Sequence, residues 1–172
     1  QQATEARRGL SRDYHPIDLE SGKRLTAEEV GRRLSGHFDC LDEIAREAHL
    51  SSRAKEKLAK ARRLLVALQS TIVFFWKTVT ARLGAWQLPA ATETWLREEL
   101  IPGLYLEMAA PKAATAAQRE RLRGRAEEVL ARARSPDGIW GTLNEAERTD
   151  LQTKARDCAA LFQRSSSCVE GH

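Results

Sequence analysis

Residues Leu58 to Leu83 read LAKARRLLVALQSTIVFFWKTVTARL, and this stretch decides the fold class. Leu58, Ala61, Leu65, Leu68, Ile72, Phe75, Val79 and Leu83 recur in steps of three and four, which puts them on one stripe of a helix. Leu64, Val66, Val73, Phe74 and Trp76 widen that stripe past one face. A helix apolar nearly all round in its second half is expected to be surrounded by other helices. Ser51 or Ser52 is its cap and Gly84 its stop, and a run from Ser51 to Gly84 spans roughly 50 Å at about 1.5 Å per residue.

Working outward, Thr26 and Glu29 have the spacing of a capping box, and Leu34, Phe38, Leu41, Ile44 and Ala45 follow on one face down to about His49. Beyond Gly84, Pro89 leads into a third helix with Trp95, Leu96 and Leu100 inward. Pro102 must kink or end it, since proline lacks the amide proton and crowds the preceding turn. A short helix through Leu104 to Met108 then closes at Pro111. A fourth helix from about Thr115 to Arg134 keeps Leu122, Ala126, Val129, Leu130 and Ala133 on one side. Gly138 and Gly141 mark a loop whose Trp140 plugs the bundle. The fifth helix, capped by Asn144 with Glu147, buries Leu151, Ala155, Cys158, Ala159 and Phe162. Before all of these, residues 1–25 hold Pro16 and a turn around Gly22 and read as an extended lead-in.

The expected fold is all-α, an irregular bundle of about five helices with one long central helix. Residues 1–25 are the linker, 26–164 the bundle and 165–172 a distinct tail. Ala, Leu, Arg and Glu dominate the 172 residues, as helices favour. The longest apolar run, Ile72 to Trp76, stops at Lys77 and is too short to span a bilayer, so no membrane partner is expected. Three cysteines at irregular spacings make no disulfide framework and fit a reducing cytoplasm. There is no glycine-rich phosphate loop, nucleophile elbow or zinc-protease signature, so neither a cofactor nor a small-molecule substrate is expected for this chain.

Several residues are candidates for chemistry. His37 and Cys40 share a helix face as metal ligands can, yet a zinc site needs four such groups, and a packed Cys beside an exposed His is the plainer reading. The net charge is +4. Arg53, Lys55, Lys57, Lys60, Arg62 and Arg63 make the start of the long helix basic, opposed only by Glu56. Arg119, Arg121, Arg123, Arg125, Arg132 and Arg134 do the same for the fourth helix, moderated by Glu120, Glu127 and Glu128. Cations along a rigid rod suit a phosphate backbone, although such residues are also ordinary solvated faces. Arg53, Lys57, Lys60, Arg63, Arg121, Arg125 and Arg164 are the nucleic-acid contact candidates. Phe74, Phe75, Trp76, Trp95 and Trp140 sit on apolar stripes and read as core rather than as base-stacking platforms.

The tail reads LFQRSSSCVEGH from Leu161 to His172. Its SSSCVEG resembles the segment of bacterial insertion-sequence transposases that carries the last carboxylate of their DDE triad. YHPIDLESG, HFDCLDEIA and KARRLLVAL look, more loosely, like the C-terminal half of transposase-like proteins, so the resemblance covers nearly the whole chain. It implies that Glu170 is the last catalytic and metal-binding acid and that the serines cap its helix. It also implies that the bundle is a helical insertion in a ribonuclease H-like core that this chain does not contain. The family would continue with an Asn after the position of His172. With Gln1 in place of an initiator Met, the chain is expected to be a piece of a longer protein.

On this resemblance the parent protein uses Mg²⁺ for DNA transposition in the bacterial cytoplasm, near the nucleoid. Its partners are transposon-end DNA and a second protomer. The alternatives are a stand-alone helical interaction module with no nucleic-acid role, and a decayed transposase that retains DNA binding. Two-metal phosphoryl transfer needs several carboxylates around a pair of ions about 3.5–4 Å apart, and one acid cannot supply them. The chain alone is therefore expected to be inactive, and Mg²⁺-dependent strand cleavage by it would overturn that expectation.

Overall fold

A computed structural model of the chain describes residues 2–49 and 51–166. The protein is all-α: the described residues form helices and no strand, with one isolated bridge between Ile17 and Arg24. By packing, the chain falls into two compact units, Gln1–Pro16 with Leu25–Phe74, and Ile17–Arg24 with Phe75–His172.

The first unit begins with α1 (Gln2–Asp13), where an extended lead-in was expected. Its packed residues are Ala6, Gly9 and Asp13. They recur at helical spacing, yet they carry almost no apolar bulk, so the stripe they make is invisible to a hydropathy reading. α1 packs on α2 (Ala27–Glu47), which starts in the expected capping box: Glu29 N–H donates to Thr26 Oγ1 at 3.1 Å and Thr26 N–H to Glu29 Oε2 at 2.7 Å. Val30, Leu34, Phe38 and Ala45 are its buried face.

α3 (Ser52–Arg63) is capped by Ser51, and α4 (Leu65–Ala85) continues it after a single tight turn at Leu64. Leu64 N–H reaches back three residues to Ala61 at 3.1 Å, and Leu68 N–H restores the four-residue step to Leu64 at 2.9 Å. The long helix is thus present but divided. Gln69 Nε2 donates to the Ala27 carbonyl at 3.4 Å, and its amide lies where a side chain on Gly31 would stand.

One sequence expectation fails on this helix. Val66 is 71% exposed, Phe74 68%, Leu64 55% and Val73 40%. Ile72, Phe75, Trp76, Val79 and Leu83 are buried as expected. A broad apolar stripe buries only as much of its width as it has neighbours to cover, and here a second face remains in solvent. Over Ser52–Ala85 an 18-residue window reaches a mean hydropathy of 1.5 with 22% of it buried. By length and composition alone this helix could cross a membrane, a wider measure than the five-residue run read from the sequence.

The second unit includes an excursion of the chain before α2. Asp18 Oδ1 accepts from Glu20 and Ser21 N–H at 2.8 and 3.0 Å, and Gly22 closes the turn at φ +72°, a conformation that favours glycine. Arg24 at its end pairs with Glu98 at 3.0 Å and lies over the Trp76 ring, 5.2 Å from its centroid.

α5 (Ala90–Trp95) leads into a π-turn (Leu96–Leu100) and then α6 (Ile101–Ala109). Ile101 N–H bonds five residues back to Leu96, so the wider turn precedes Pro102, which sits in the first turn of α6 where a missing N–H costs little. The proline neither breaks the helix nor needs an exposed kink. Every residue from Ile101 to Leu106 is buried, and α7 (Ala116–Ala133) and α9 (Glu145–Ser166) pack against them. Phe162 meets Phe75 and Tyr105 edge-on, with centroids 5.8 and 6.1 Å apart. Leu151, Ala155, Cys158, Ala159 and Phe162 are all buried, as their spacing predicts. Burial raises the Cys158 thiol pKa, against the lowering effect of Arg82.

Trp140 sits on a one-turn helix, α8 (Ile139–Thr142), rather than in a plain loop, and it is half-buried. It approaches Trp95 at 6.3 Å, while Trp95 Nε1 donates to the Ala133 carbonyl at 2.9 Å. Gly141 is fixed by this turn, because a Cβ there would collide with the Pro136 carbonyl, a backbone atom that cannot rotate away. Gly141→Ala is expected to lower stability by about 1–3 kcal/mol. Gly124→Ala, on open helix surface with nothing within 4 Å, should instead raise it by up to about 1 kcal/mol. Paired thermal melts of the two variants check both signs.

Candidate nucleic-acid interface

Among the described residues the basic side chains separate into those paired with acids and those that make no ion pair. On α3, Arg62 is spent internally: its guanidinium reaches Asp39 at 2.5 Å and Asp42 at 2.6 Å on α2, and these partners raise its pKa. Arg53, Lys55, Lys57, Lys60 and Arg63 are exposed and make no ion pair among the described residues. Arg53, Lys57, Lys60 and Arg63 follow one another by steps of four and three, so each neighbours the next on the helix surface. They form a row roughly 15 Å long. Glu56 is the acid on this side of the helix.

On α7 the pattern differs. Arg123 pairs with Glu120 at 3.3 Å and Arg125 with Glu128 at 2.6 Å, while Arg119 donates to the Ala113 carbonyl at 2.9 Å. Arg134 bonds Gln152 at 3.2 Å and stacks over Trp140. Arg121 stays exposed without an ion pair among the described residues. The structure therefore gathers four of the seven contact candidates on α3 and ties Arg125 to its own helix. Glu170 lies outside the described residues, as does the side chain of Arg164.

Among the aromatic residues expected in the core, Phe75, Trp76 and Trp95 are buried, whereas Phe74 is exposed. Among the described residues no group of three His, Cys, Asp or Glu side chains could hold a metal ion, so they do not fit a Mg²⁺ site. Cys40 is exposed, and His37 turns to a different partner than the one its spacing offered.

That partner was missed in the sequence. His37 Nε2 lies 2.5 Å from Asp13 Oδ2, joining α2 to α1, and Arg12 Nε lies 3.2 Å from Asp13 Oδ1. Gly9 makes room, because a Cβ there would run into the imidazole ring. Burial works to raise the Asp13 pKa, but the hydrogen bonds from Arg12 and His37 outweigh it and leave the carboxyl below its ordinary value. The signal in the sequence was an Asp and a Gly four residues apart, too sparse to point to a histidine 24 residues away.

Beside this pair, burial pushes His15 down to about 4, against the opposing effects of Asp13 and the Ser11 backbone. Its imidazole is neutral when folded and takes up a proton on unfolding anywhere between pH 4 and 6.5. The unfolded chain then binds more protons, so stability must fall as pH drops through that window. Asp13 titrates below 3.8 and contributes outside it. The loss is expected to reach at most about 3 kcal/mol, and His15→Gln should flatten the pH dependence between 6.5 and 4 in denaturant titrations.

Residues 96–172 match the model of a family described as a family of unknown function, DUF6399. No curated protein matches the chain. No solved structure matches it. The matched stretch begins at the π-turn, takes in α6 to α9 and runs on through the SSSCVEG tail.

Proposed function

We propose that the chain is the helical insertion region of a DDE-type transposase, and that the basic row of α3 contacts the phosphate backbone of DNA. The observation that carries this reading is the row itself: Arg53, Lys57, Lys60 and Arg63 are exposed and make no ion pair among the described residues, while the α7 arginines Arg123 and Arg125 have acids of their own. A cation already paired gains less from a phosphate, because the first pair must be given up. The tail adds the motif resemblance, with Glu170 as the acid that the parent protein would set against Mg²⁺ beside carboxylates from elsewhere. In this reading the DNA is the transposon end, and the protein works in the bacterial cytoplasm.

A second reading, a helical interaction module with no nucleic-acid role, is favoured by the exposed Val66, Val73 and Phe74.

Fluorescence anisotropy with a labelled duplex separates the two. Binding should weaken linearly in log–log form with salt, by about 0.9 in slope per phosphate contact. Replacing Arg53, Lys57 and Lys60 by alanine should cut the slope by about 2–3, whereas replacing Arg123 and Arg125 should change it by less than about 1. Absence of salt-dependent binding at low ionic strength would favour the interaction module.

A further inference from the structure

Among the described residues, every large apolar side chain left exposed lies within residues 64–74 of the long helix. Leu64, Val66 and Val73 belong to the first unit, as do the exposed cations Arg53, Lys57, Lys60 and Arg63. The row of cations continues in the same steps of three and four through Val66, Ser70 and Val73, so basic and apolar residues adjoin on the helix surface. No charged residue occurs between Arg63 and Lys77. Ser70 does not interrupt the apolar surface either, because its hydroxyl donates to the Val66 carbonyl at 2.9 Å and is satisfied without water.

We propose that this surface of the first unit binds an anionic phospholipid bilayer, with the cations on lipid phosphates and Leu64, Val66 and Val73 in the outer acyl layer. A helix that joins Lys and Arg to an apolar side lies in the plane of the membrane interface. Length and composition would also let this helix cross a bilayer, but protein covers one side of it. Ile72 is fully buried and Gln69 Nε2 donates to the Ala27 carbonyl at 3.4 Å, so lipid can meet only the other side.

Duplex DNA would use the cations alone and leave Val66 and Val73 in water, where they gain nothing. A bilayer uses both sets. Exposed Glu56 is the acid on α3, one carboxylate beside five exposed cations once Lys55 is counted, so the surface stays attractive to anionic headgroups.

Co-sedimentation of the chain with lipid vesicles tests the proposal, and nucleic acid takes no part in it. The chain should bind vesicles of phosphatidylglycerol and phosphatidylcholine in equal parts. It should bind pure phosphatidylcholine at least about 100-fold more weakly, since each cation near an anionic surface is worth about fivefold in affinity. Val66→Asn should weaken binding to the mixed vesicles about tenfold with unchanged helical content. Val73→Asn should act in the same direction, and it carries the test should Val66→Asn fail to fold. Neither variant should alter the salt slope of DNA binding, which reads the cations. Absence of binding to the mixed vesicles overturns the proposal and leaves the apolar side chains to a protein partner. Binding that both asparagine variants leave intact also overturns it, as adhesion by charge alone. A chain that binds the mixed vesicles through Val66 but binds no duplex refutes the DNA reading and upholds this one.

Discussion

Six consecutive residues, Ile101 to Leu106, are buried, and a helix covered on every side must have neighbours on every side. The second unit follows from meeting that demand. α7 and α9 pack along α6, and the aromatic cluster of Phe75, Tyr105 and Phe162 joins α9 to the end of the long helix. Pro102 makes the arrangement possible to state chemically. Its ring removes a backbone donor, and the π-turn, in which Ile101 N–H bonds the Leu96 carbonyl, widens the hydrogen-bond ladder just before it. Gly103 has a similar role in space, because a Cβ there would stand 2.7 Å from a Leu130 methyl. α6 and α7 can approach because that position has no side chain.

The first unit adds a polar constraint to its apolar core. α1 has small packed residues and gains little from burial, and the Asp13–His37 contact ties it to α2. The same economy appears between α2 and α3, where Arg62 bridges Asp39 and Asp42. Exposed pairs of this kind contribute little singly, and their value is in fixing which helix faces meet. Because these acids engage Arg62, the remaining cations of α3 are left in solvent. The candidate interface is thus a by-product of how α3 is held.

The long helix presents two kinds of exposed surface. A row of cations lies toward its N-terminal end, and exposed apolar side chains follow over the middle.

Much of the fold was legible in the sequence because it was written in local signals. Thr26 with Glu29 and Asn144 with Glu147 cap helices where their spacing placed them, Ser51 is the one of two neighbouring serines that caps α3, and the inward residues of α9 were named correctly from periodicity. These features depend on neighbours within four residues, and the chain alone determines them. What only the tertiary structure decided depends on neighbours far along the chain. α1 went unseen because Ala6 and Gly9 are too small to register as a stripe, although Gly9 is small for the sake of His37. Val66 looked like core because hydropathy records what a residue could bury, whereas exposure records how much of it its neighbours cover. Which cations are free was equally hidden, since Arg62 and Arg63 are adjacent in sequence and only the geometry of α2 gives acids to one and leaves the other in water.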